Sequence, residues 1–425
     1  MNETAAIPAG EESVPAAYAS REAVWVFLSF AFAYFFSALV RGVTATLAPR
    51  FSAELGLNAA DLGLLAGAYF FGFAAMQLPL GSALDRFGPR RVLLVFLAAA
   101  VLGCAAFAQA QSFLGLTLAR ALIGTGVSAC LMAPMTAFRR SLNPVAQMRA
   151  NSWMLMTGSL GMVASTLPVQ WLLPTLGWRG LFWVIAALMA LSMVGIGRLV
   201  PHDGPVKRQP GNAMGGYAQV FRHPSFVRFA PMGFFHYGGM VAVQSLWAGP
   251  WLVQVCGLTA TQAAQGLFGI NVAMLLTFLG WGLVLPRLYA TGWTAQRLIA
   301  RGVPVSLAML GVGLWHGQAA TAWVWGAFCV TCTFVSLSQP AIGQAFAAPL
   351  VGRALSAYNL VIFSGVFVLQ WGMGLAIDLF RAAGWSVVSA YQGAFALLGG
   401  CCTLAYVWFL WCDDSAASSR ISRSP

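Results

Sequence analysis

The chain has 425 residues, of which 59% are hydrophobic and only 8% are charged. Soluble domains carry about 25% charged residues, so a water-soluble fold could not bury this much apolar surface. The net charge of +12 is spread over short gaps between apolar segments rather than gathered on one face. This distribution argues against a nucleic-acid-binding protein.

Apolar stretches long enough to cross a bilayer recur along the whole chain, and such a helix needs about 20 mostly apolar residues. In chain order the sequence predicts twelve of them, at 24–46, 61–82, 91–110, 113–137, 150–173, 178–199, 226–249, 262–285, 297–315, 319–343, 354–378 and 385–411. The predicted fold class is an all-α integral membrane protein. Its expected parts are a disordered tail at 1–22, a six-helix bundle at 23–199, a cytoplasmic central loop at 200–225, a second six-helix bundle at 226–411 and a C-terminal tail at 412–425.

Basic residues predict the orientation in the membrane, because cytoplasmic segments carry an excess of Lys and Arg. If both termini are cytoplasmic, 18 cationic residues fall on that side and only Arg50, Arg179 and Arg381 fall on the other. We therefore expect a multi-pass protein of the inner membrane with both termini in the cytoplasm, surrounded by lipid and acting as a monomer.

The two predicted bundles resemble each other in sequence. A shift of 201 residues aligns Leu57 with Leu258 and Arg86 with Arg287. This order of matches indicates a duplication, and hence two bundles related by pseudo-symmetry. Repeats of six plus six helices are one of the known plans of transporters.

A basic loop with two glycines joins the second and third predicted spans. It reads Gly81-Ser-Ala-Leu-Asp85-Arg86-Phe87-Gly88-Pro89-Arg90-Arg91. The first glycine allows two helices to approach closely. Its acid can accept hydrogen bonds from basic groups or from a helix N-terminus, and so form a latch that holds an inner gate shut. The predicted gating residues are Gly81, Asp85, Arg86, Gly88, Arg90 and Arg91; the alternative is a basic loop that only sets topology.

This loop closely resembles the cytoplasmic signature of the major facilitator superfamily. The segment Arg120-Ala-Leu-Ile-Gly124-Thr-Gly126 resembles the pattern on the fourth helix of that superfamily. The resemblance covers the whole chain and implies a transporter that works by alternating access. The Gly-Pro pattern on the fifth helix of its drug/proton antiporters is absent here, which weakens the drug-exporter interpretation.

Two arginines inside predicted spans are candidates for an anion site. An arginine at the centre of a membrane helix costs about 2.5–3.5 kcal/mol, so it usually faces protein or water. Arg41 lies about five residues from the outer end of the first span and Arg120 about seven from that of the fourth. Tyr34 shares the helix face of Arg41. Snorkelling of Arg41 and helix packing by Arg120 are the alternatives.

Polar residues of the second half complete the predicted cavity. In the seventh span, Met232, His236, Met240, Gln244 and Trp247 follow one another at helical spacing. The predicted substrate-binding residues are Arg41, Arg120, Tyr34, His236, Gln244, Trp247, Asn271, Gln339, Asn359 and Gln370. For the polar residues of the second half, the alternative is an interhelical hydrogen bond or ordinary packing.

The predicted function is a secondary active transporter of a small organic anion. The alternatives are an exporter of drugs or metabolites, a copper importer that uses the Met and His residues of span seven, and a membrane enzyme or receptor. We expect no cofactor, no bound metal and no catalytic residue. No acid reaches the middle of a span, so coupling to protons would have to use His236, and an anion exchanger or a uniporter is the other possibility.

Overall fold

The computed structural model describes residues 20–201 and 216–412, and these are almost entirely helical. Most of the predicted central loop and nearly all of both predicted tails lie outside the described residues. The first helix begins at Ser20, so the last residues of the predicted N-terminal tail are helical.

The first half of the chain forms eight helices. They are α1 (Ser20–Leu55), α2 (Ala59–Ala75), α3 (Gln77–Phe87), α4 (Pro89–Gln109), α5 (Phe113–Val127), α6 (Ala129–Ser141), α7 (Pro144–Ala164) and α8 (Leu167–Leu199). The last of these contains a break, because Gly177 has a positive φ of 62° that a helix does not use. The chain reverses there, and the two parts of α8 belong to the fifth and sixth predicted spans.

The second half is more irregular. After the short helix α9 (Tyr217–Arg222) come α10 (Pro224–Pro231), α11 (Gly238–Ala242), α12 (Ala248–Pro250), α13 (Ala260–Ala290), α14 (Ala295–His316), α15 (Ala322–Cys332), α16 (Ser338–Ala345), α17 (Ala348–Ala382) and α18 (Val387–Trp411). Three π-helical segments, at Met232–Tyr237, Val243–Trp247 and Trp251–Val255, interrupt the seventh predicted span. A 3₁₀ segment at Thr333–Leu337 joins α15 to α16.

The described residues account for the twelve predicted spans. Nine of their helices are long and apolar enough to cross a membrane, and α2 with α3, bent by 44°, makes a tenth. The remaining two spans are α7 with the first part of α8, and the irregular segment from α10 to the last π-helical turn. Large apolar side chains point outward, such as Leu102 at 64% exposure and Leu404 at 72%, as expected for a surface in contact with lipid.

The first helix is longer than the sequence predicts. The prediction ended this span at residue 46, but α1 continues to Leu55. The apolar stretch ends near Pro49, but the helix continues through the more polar residues that follow, up to Leu55. Arg41 therefore lies 14 residues before the helix end, about 21 Å at 1.5 Å per residue, rather than near the outer end.

The two halves meet where α17 runs antiparallel to α2 and α3, and most of this contact is made by α2. The rings of Phe73 and Phe363 are 4.4 Å apart across this interface. We call the side where α1 begins and α18 ends the terminal face, and the opposite side the far face. The candidate site lies between the halves, roughly midway between these faces.

Candidate functional site

Arg41 lies on α1, 14 residues before the end of that helix, and keeps part of its surface accessible. Its guanidinium carbon is 5.9 Å from the centre of the Phe73 ring. The phenols of Tyr34, Tyr69 and Tyr237 lie within electrostatic reach. Its Nε atom has no hydrogen-bond partner among the described residues. Arg41 therefore has one buried N–H group without a hydrogen-bond partner, and aromatic side chains lie around it.

Arg120 is sealed between α5 and α1. It is 1% exposed, and one of its amino groups donates to the Val40 carbonyl at 3.0 Å and to the Thr44 hydroxyl. Its guanidinium carbon lies 5.3 Å from the centre of the Tyr69 ring. In this conformation Arg120 joins two helices and does not line accessible space, although its second amino group has no partner in the described part of the chain.

Three tyrosines surround Arg41, and two of them come from the first half. Tyr34 is 6% exposed and packs against Gly158 on α7, where a Cβ would lie 2.5 Å from the ring. Tyr69 is fully buried and its hydroxyl donates weakly to the Ser37 carbonyl at 3.4 Å. Only Tyr34 was among the predicted site residues. A tyrosine inside an apolar span needs a partner for its hydroxyl, and that signal was available for Tyr69.

Tyr237 is the third tyrosine and comes from the second half. It ends the π-helical segment Met232–Tyr237, is partly accessible, and lies within electrostatic reach of Arg41 and Tyr34. Other partly accessible positions near it in this span are Phe234, Phe235, Val241 and Gln244. Tyr237 thus approaches Arg41, whereas Met232 and His236 of the predicted stripe are buried.

The predicted stripe is buried inside the second half. His236 is 1% exposed and lies 2.8 Å from the Ser306 hydroxyl on α14. Met232, Met240 and Trp247 are at most 2% exposed. The stripe was drawn with steps of four residues, whereas π-helical turns place more residues in each turn and so rotate the faces. Gln244 alone of this stripe keeps accessible surface.

The other predicted polar residues are joined in pairs. Gln244 donates to Asn271 at 3.0 Å, between the seventh and eighth spans. Gln339 donates to Asn359 at 2.8 Å, and both side chains remain partly accessible on the terminal side of Phe363. The remaining residue, Gln370, is fully buried and its side chain donates to Ser245 at 3.0 Å, while its backbone carbonyl accepts from Trp247.

The bundle is closed towards the far face. All residues from Gly42 to Ala48 on α1 are buried, and a side chain on Gly249 would collide with the Ala45 carbonyl of the other half. A small cavity of about 200 Å³ remains outside this contact, lined by both halves. On α13 all the buried residues precede Leu275, so the part nearer the terminal face packs loosely. This arrangement corresponds to access from the terminal face.

The basic loop lies at the terminal face. Asp85 is solvent-exposed, near Tyr217 and Arg353. Burial raises the pKa of the Tyr217 phenol, with Arg353 opposing the rise and Asp85 adding to it. Elsewhere in the loop, Gly88 has a φ of 79° and caps α3, and Arg90 donates to the Gly197 carbonyl. The guanidinium carbon of Arg86 lies 5.0 Å from the centre of the Phe87 ring. Arg91 also has an interaction partner. Gly81 faces Ser356 of α17.

Metal ligation has little support in the described residues. They contain no group of three His, Cys, Asp or Glu side chains placed to hold an ion. Met232, His236 and Met240, which the copper alternative requires, are enclosed in the second half. The arrangement instead offers a partly accessible arginine among tyrosine and phenylalanine rings, and an arginine can donate charge-assisted hydrogen bonds.

Curated relatives match parts of the chain. The inner membrane transport protein YajR of Escherichia coli is 28% identical over 178 residues, covering 41% of this chain and 38% of that protein. The probable sulfoacetate transporter SauU of Cupriavidus necator is 26% identical over 251 residues, covering 54% and 57%. The chain thus spans less than two thirds of the length of either relative.

Solved structures share the whole fold. A bacterial homolog of the human lysosomal transporter Spinster, inward-facing and unoccupied, superposes with a TM-score of 0.76 at 16% identity, covering 93% of this chain and 98% of that one. The POT family transporter PepTSo also gives 0.76 at 16% identity, covering 96% and 100%. The sequence profile of the Major Facilitator Superfamily matches residues 30–369. The chain therefore belongs to the Major Facilitator Superfamily, a family of membrane transporters, and is a multi-pass membrane protein.

Proposed function

We propose that this transporter is a secondary active carrier that moves a small organic anion across the cytoplasmic membrane by alternating access. The observation that carries the proposal is Arg41, a partly accessible cation inside the first span whose buried Nε atom has no hydrogen-bond partner among the described residues. The described acids Glu22, Glu54, Asp61, Asp85 and Asp378 all lie at or near helix ends. A buried cation without a protein counter-ion favours an anionic ligand.

The strength of one ion pair is sufficient for this role. At about 4 Å and an effective dielectric constant near 20, two unit charges attract by roughly 4 kcal/mol before desolvation. That attraction offsets the cost of about 2.5–3.5 kcal/mol for placing an arginine in the membrane. The ligand would lie between Arg41 of the first half and Tyr237 of the second, so both halves contact it. In this arrangement Arg120 is a positioning residue behind Tyr69.

The comparisons support an anion in general terms. One relative is named as a probable sulfoacetate transporter, and sulfoacetate is a small organic anion. An exporter of cationic drugs would need an acid in its cavity, and the core of the described bundle has none. The anion proposal accounts for the charge of the cavity, and the exporter alternative does not.

The direct test is a transport screen in proteoliposomes. Purified protein would be supplied with radiolabelled monocarboxylates, sulfonates, sugar acids and phosphate esters, with cationic and neutral compounds of equal size as controls. We expect saturable uptake of at least one anion and none of the cations. Saturable uptake restricted to cations or neutral compounds would contradict the proposal.

We further propose that the terminal face is cytoplasmic and the far face is external, because 18 of the cationic residues then lie on the cytoplasmic side. Gly211→Cys, in the predicted central loop and in a background where the partly exposed Cys256, Cys401 and Cys412 are serine, tests this topology. An impermeant maleimide should label it in inverted vesicles but not in intact cells. Labelling in intact cells would overturn the topology.

The basic loop is proposed as the internal gate latch. Asp85 ends the span formed by α2 and α3, and α17 begins nearby without a side-chain cap at Ala347. When the terminal face closes, the Asp85 carboxylate would accept from Arg353 or approach the positive N-terminal end of the α17 dipole. In the present conformation Asp85 is exposed, as a released latch would be.

A further inference from the structure

A carboxylate crosses between the two halves at the far face. Asp378, near the end of α17, accepts from the backbone N–H of Ala59 at 3.2 Å and from that of Ala60 at 2.7 Å. These are the first two residues of α2, which belongs to the other half. Both oxygens of one side chain therefore bind the N-terminus of a helix across the interface.

The start of α2 needs this carboxylate because its own cap is already used. Asn58 is the N-cap, and its side chain accepts from the N–H of Asp61 at 2.7 Å. The Asp61 side chain accepts in return from the N–H of Asn58 at 3.3 Å. A helix leaves its first N–H groups without partners inside the helix. Those of Ala59 and Ala60 are satisfied by Asp378 from the other half.

Backbone packing brings the carboxylate into place. Gly374 lies one turn before Asp378 on α17, and a side chain there would collide with the Ala59 carbonyl. The two helices can therefore approach to backbone distance at the far face. The positive end of the α2 dipole and the two donors then favour a negative charge at this position.

We propose that Asp378 is an external gate latch, which holds the far face closed and is released each time the transporter opens to that side. Opening the far face must separate α17 from the start of α2, so both hydrogen bonds are lost in that state. The latch therefore biases the transporter towards access from the terminal face before any substrate binds. Asp378 lies outside the closed gate, so it cannot pass a proton to the terminal face and is not a coupling site.

The test measures the far-face opening without substrate. Ser52 on α1 and Gln254 in the last π-helical segment line the small cavity from opposite halves. Spin labels at these two positions, in a background where the partly exposed Cys256, Cys401 and Cys412 are serine, report the distance by double electron–electron resonance. We expect Asp378→Asn to raise the ratio of open to closed far face about tenfold, or about 1.4 kcal/mol.

The matched control is Asp61→Asn. It removes the same charge at the same helix end, but the Asp61 carboxylate binds within its own half, so the distance distribution should stay as in the parent. A second variant approaches from the donor side: Ala59→Pro removes one donor at the first helical position, where proline is tolerated. Asn58 before it is extended, at φ −77° and ψ −179°, which suits a residue preceding proline.

Ala59→Pro should shift the distances in the same direction as Asp378→Asn, and the double variant should shift them by less than the sum. Unchanged distances in both single variants would overturn the latch, as would an equal shift in Asp61→Asn. The experiment uses no substrate, so its failure would leave the anion proposal intact, and failure of the anion proposal would leave the latch intact.

Discussion

Around the candidate site, the first half of the molecule keeps cationic donors without partners, whereas four amide side chains of the second half are bonded to one another in two pairs. Arg41 and Arg120 each have a nitrogen without a hydrogen-bond partner in the described chain. Gln339 and Asn359, by contrast, are bonded to each other. Buried donors without partners are costly. A bound anion would satisfy the one on Arg41, whereas Arg120 is enclosed and would not contact the ligand. We infer from this difference that the first half recognises the charge of the ligand and the second half fits the shape of the ligand.

The largest expected effect tests the first half directly. Arg41→Gln should raise the substrate's Kd about a hundredfold or more, because the ligand charge would be left without a counter-ion. Arg41→Lys should restore only part of the affinity, since an ammonium cannot bind an anion bidentately. Binding would be measured by isothermal titration with the anion found in the screen. Arg50→Gln, on the exposed end of α1, is the matched control, and wild-type affinity in Arg41→Gln would end the comparison.

The second effect concerns the gate loop, which only the first half keeps intact. Asp85→Asn should lower the uptake rate about tenfold while leaving the amount of folded protein unchanged, because the terminal face would close less often. In the repeat of the second half, Pro286 stands at the corresponding position. Pro286→Ala should leave uptake near the wild-type rate. Equal uptake by Asp85→Asn and wild type would mean that the loop serves topology alone.

A third change places a negative charge at the uncharged Gln339–Asn359 pair of the second half. Asn359→Asp keeps the shape of the side chain and can still accept from Gln339, but it repels an anion that passes this partly accessible pair. We expect the KM for uptake to rise about tenfold at low ionic strength and less at high salt. Asn359→Ala should change the KM only a few-fold. If both variants behave alike, the anion does not pass near this pair.

The smallest effect is expected at His236. Its ring is enclosed in the second half and bonded to Ser306, so a proton on it would not reach the cavity. In proteoliposomes with an imposed pH gradient, His236→Gln should show the same dependence on the gradient as wild type. If His236→Gln still transports but its uptake no longer depends on the pH gradient, His236 carries the coupling proton. The second half would then also carry a charge during transport.

The sequence was sufficient to predict the architecture, but it was not sufficient to predict which face of each helix is buried and which is accessible. Bilayer length and apolarity place twelve spans, and these properties do not depend on details of packing. The same reasoning predicted Arg41 as a site residue, because a cation among apolar residues is conspicuous, and this stays a prediction. It could not identify Tyr237, since three π-helical segments change the spacing on which the predicted stripe depended. Such segments arise from tertiary packing, which composition does not reveal.

Arg120 illustrates a different limit of sequence reasoning. Its presence within a span predicts that it faces protein or water, but the choice between these depends on a neighbouring helix. Val40 and Thr44 of α1 accept its hydrogen bonds and enclose it. Nothing in the sequence near Arg120 identifies α1 as its partner. Whether a polar side chain is buried therefore depends on the helix that packs against it, and not only on its own helix.

The π-helical turns of the seventh span have an evolutionary consequence. Each π-turn holds more residues than an α-helical turn, and such turns concentrate at functional sites. Consecutive residues of an α-helix are about 100° apart around its axis, since 3.6 residues make one turn. Deleting one residue between Met232 and Tyr237 would therefore turn the rest of the span by about that angle. A lineage could change the side chain that meets the ligand by insertion or deletion, without a single substitution in the cavity.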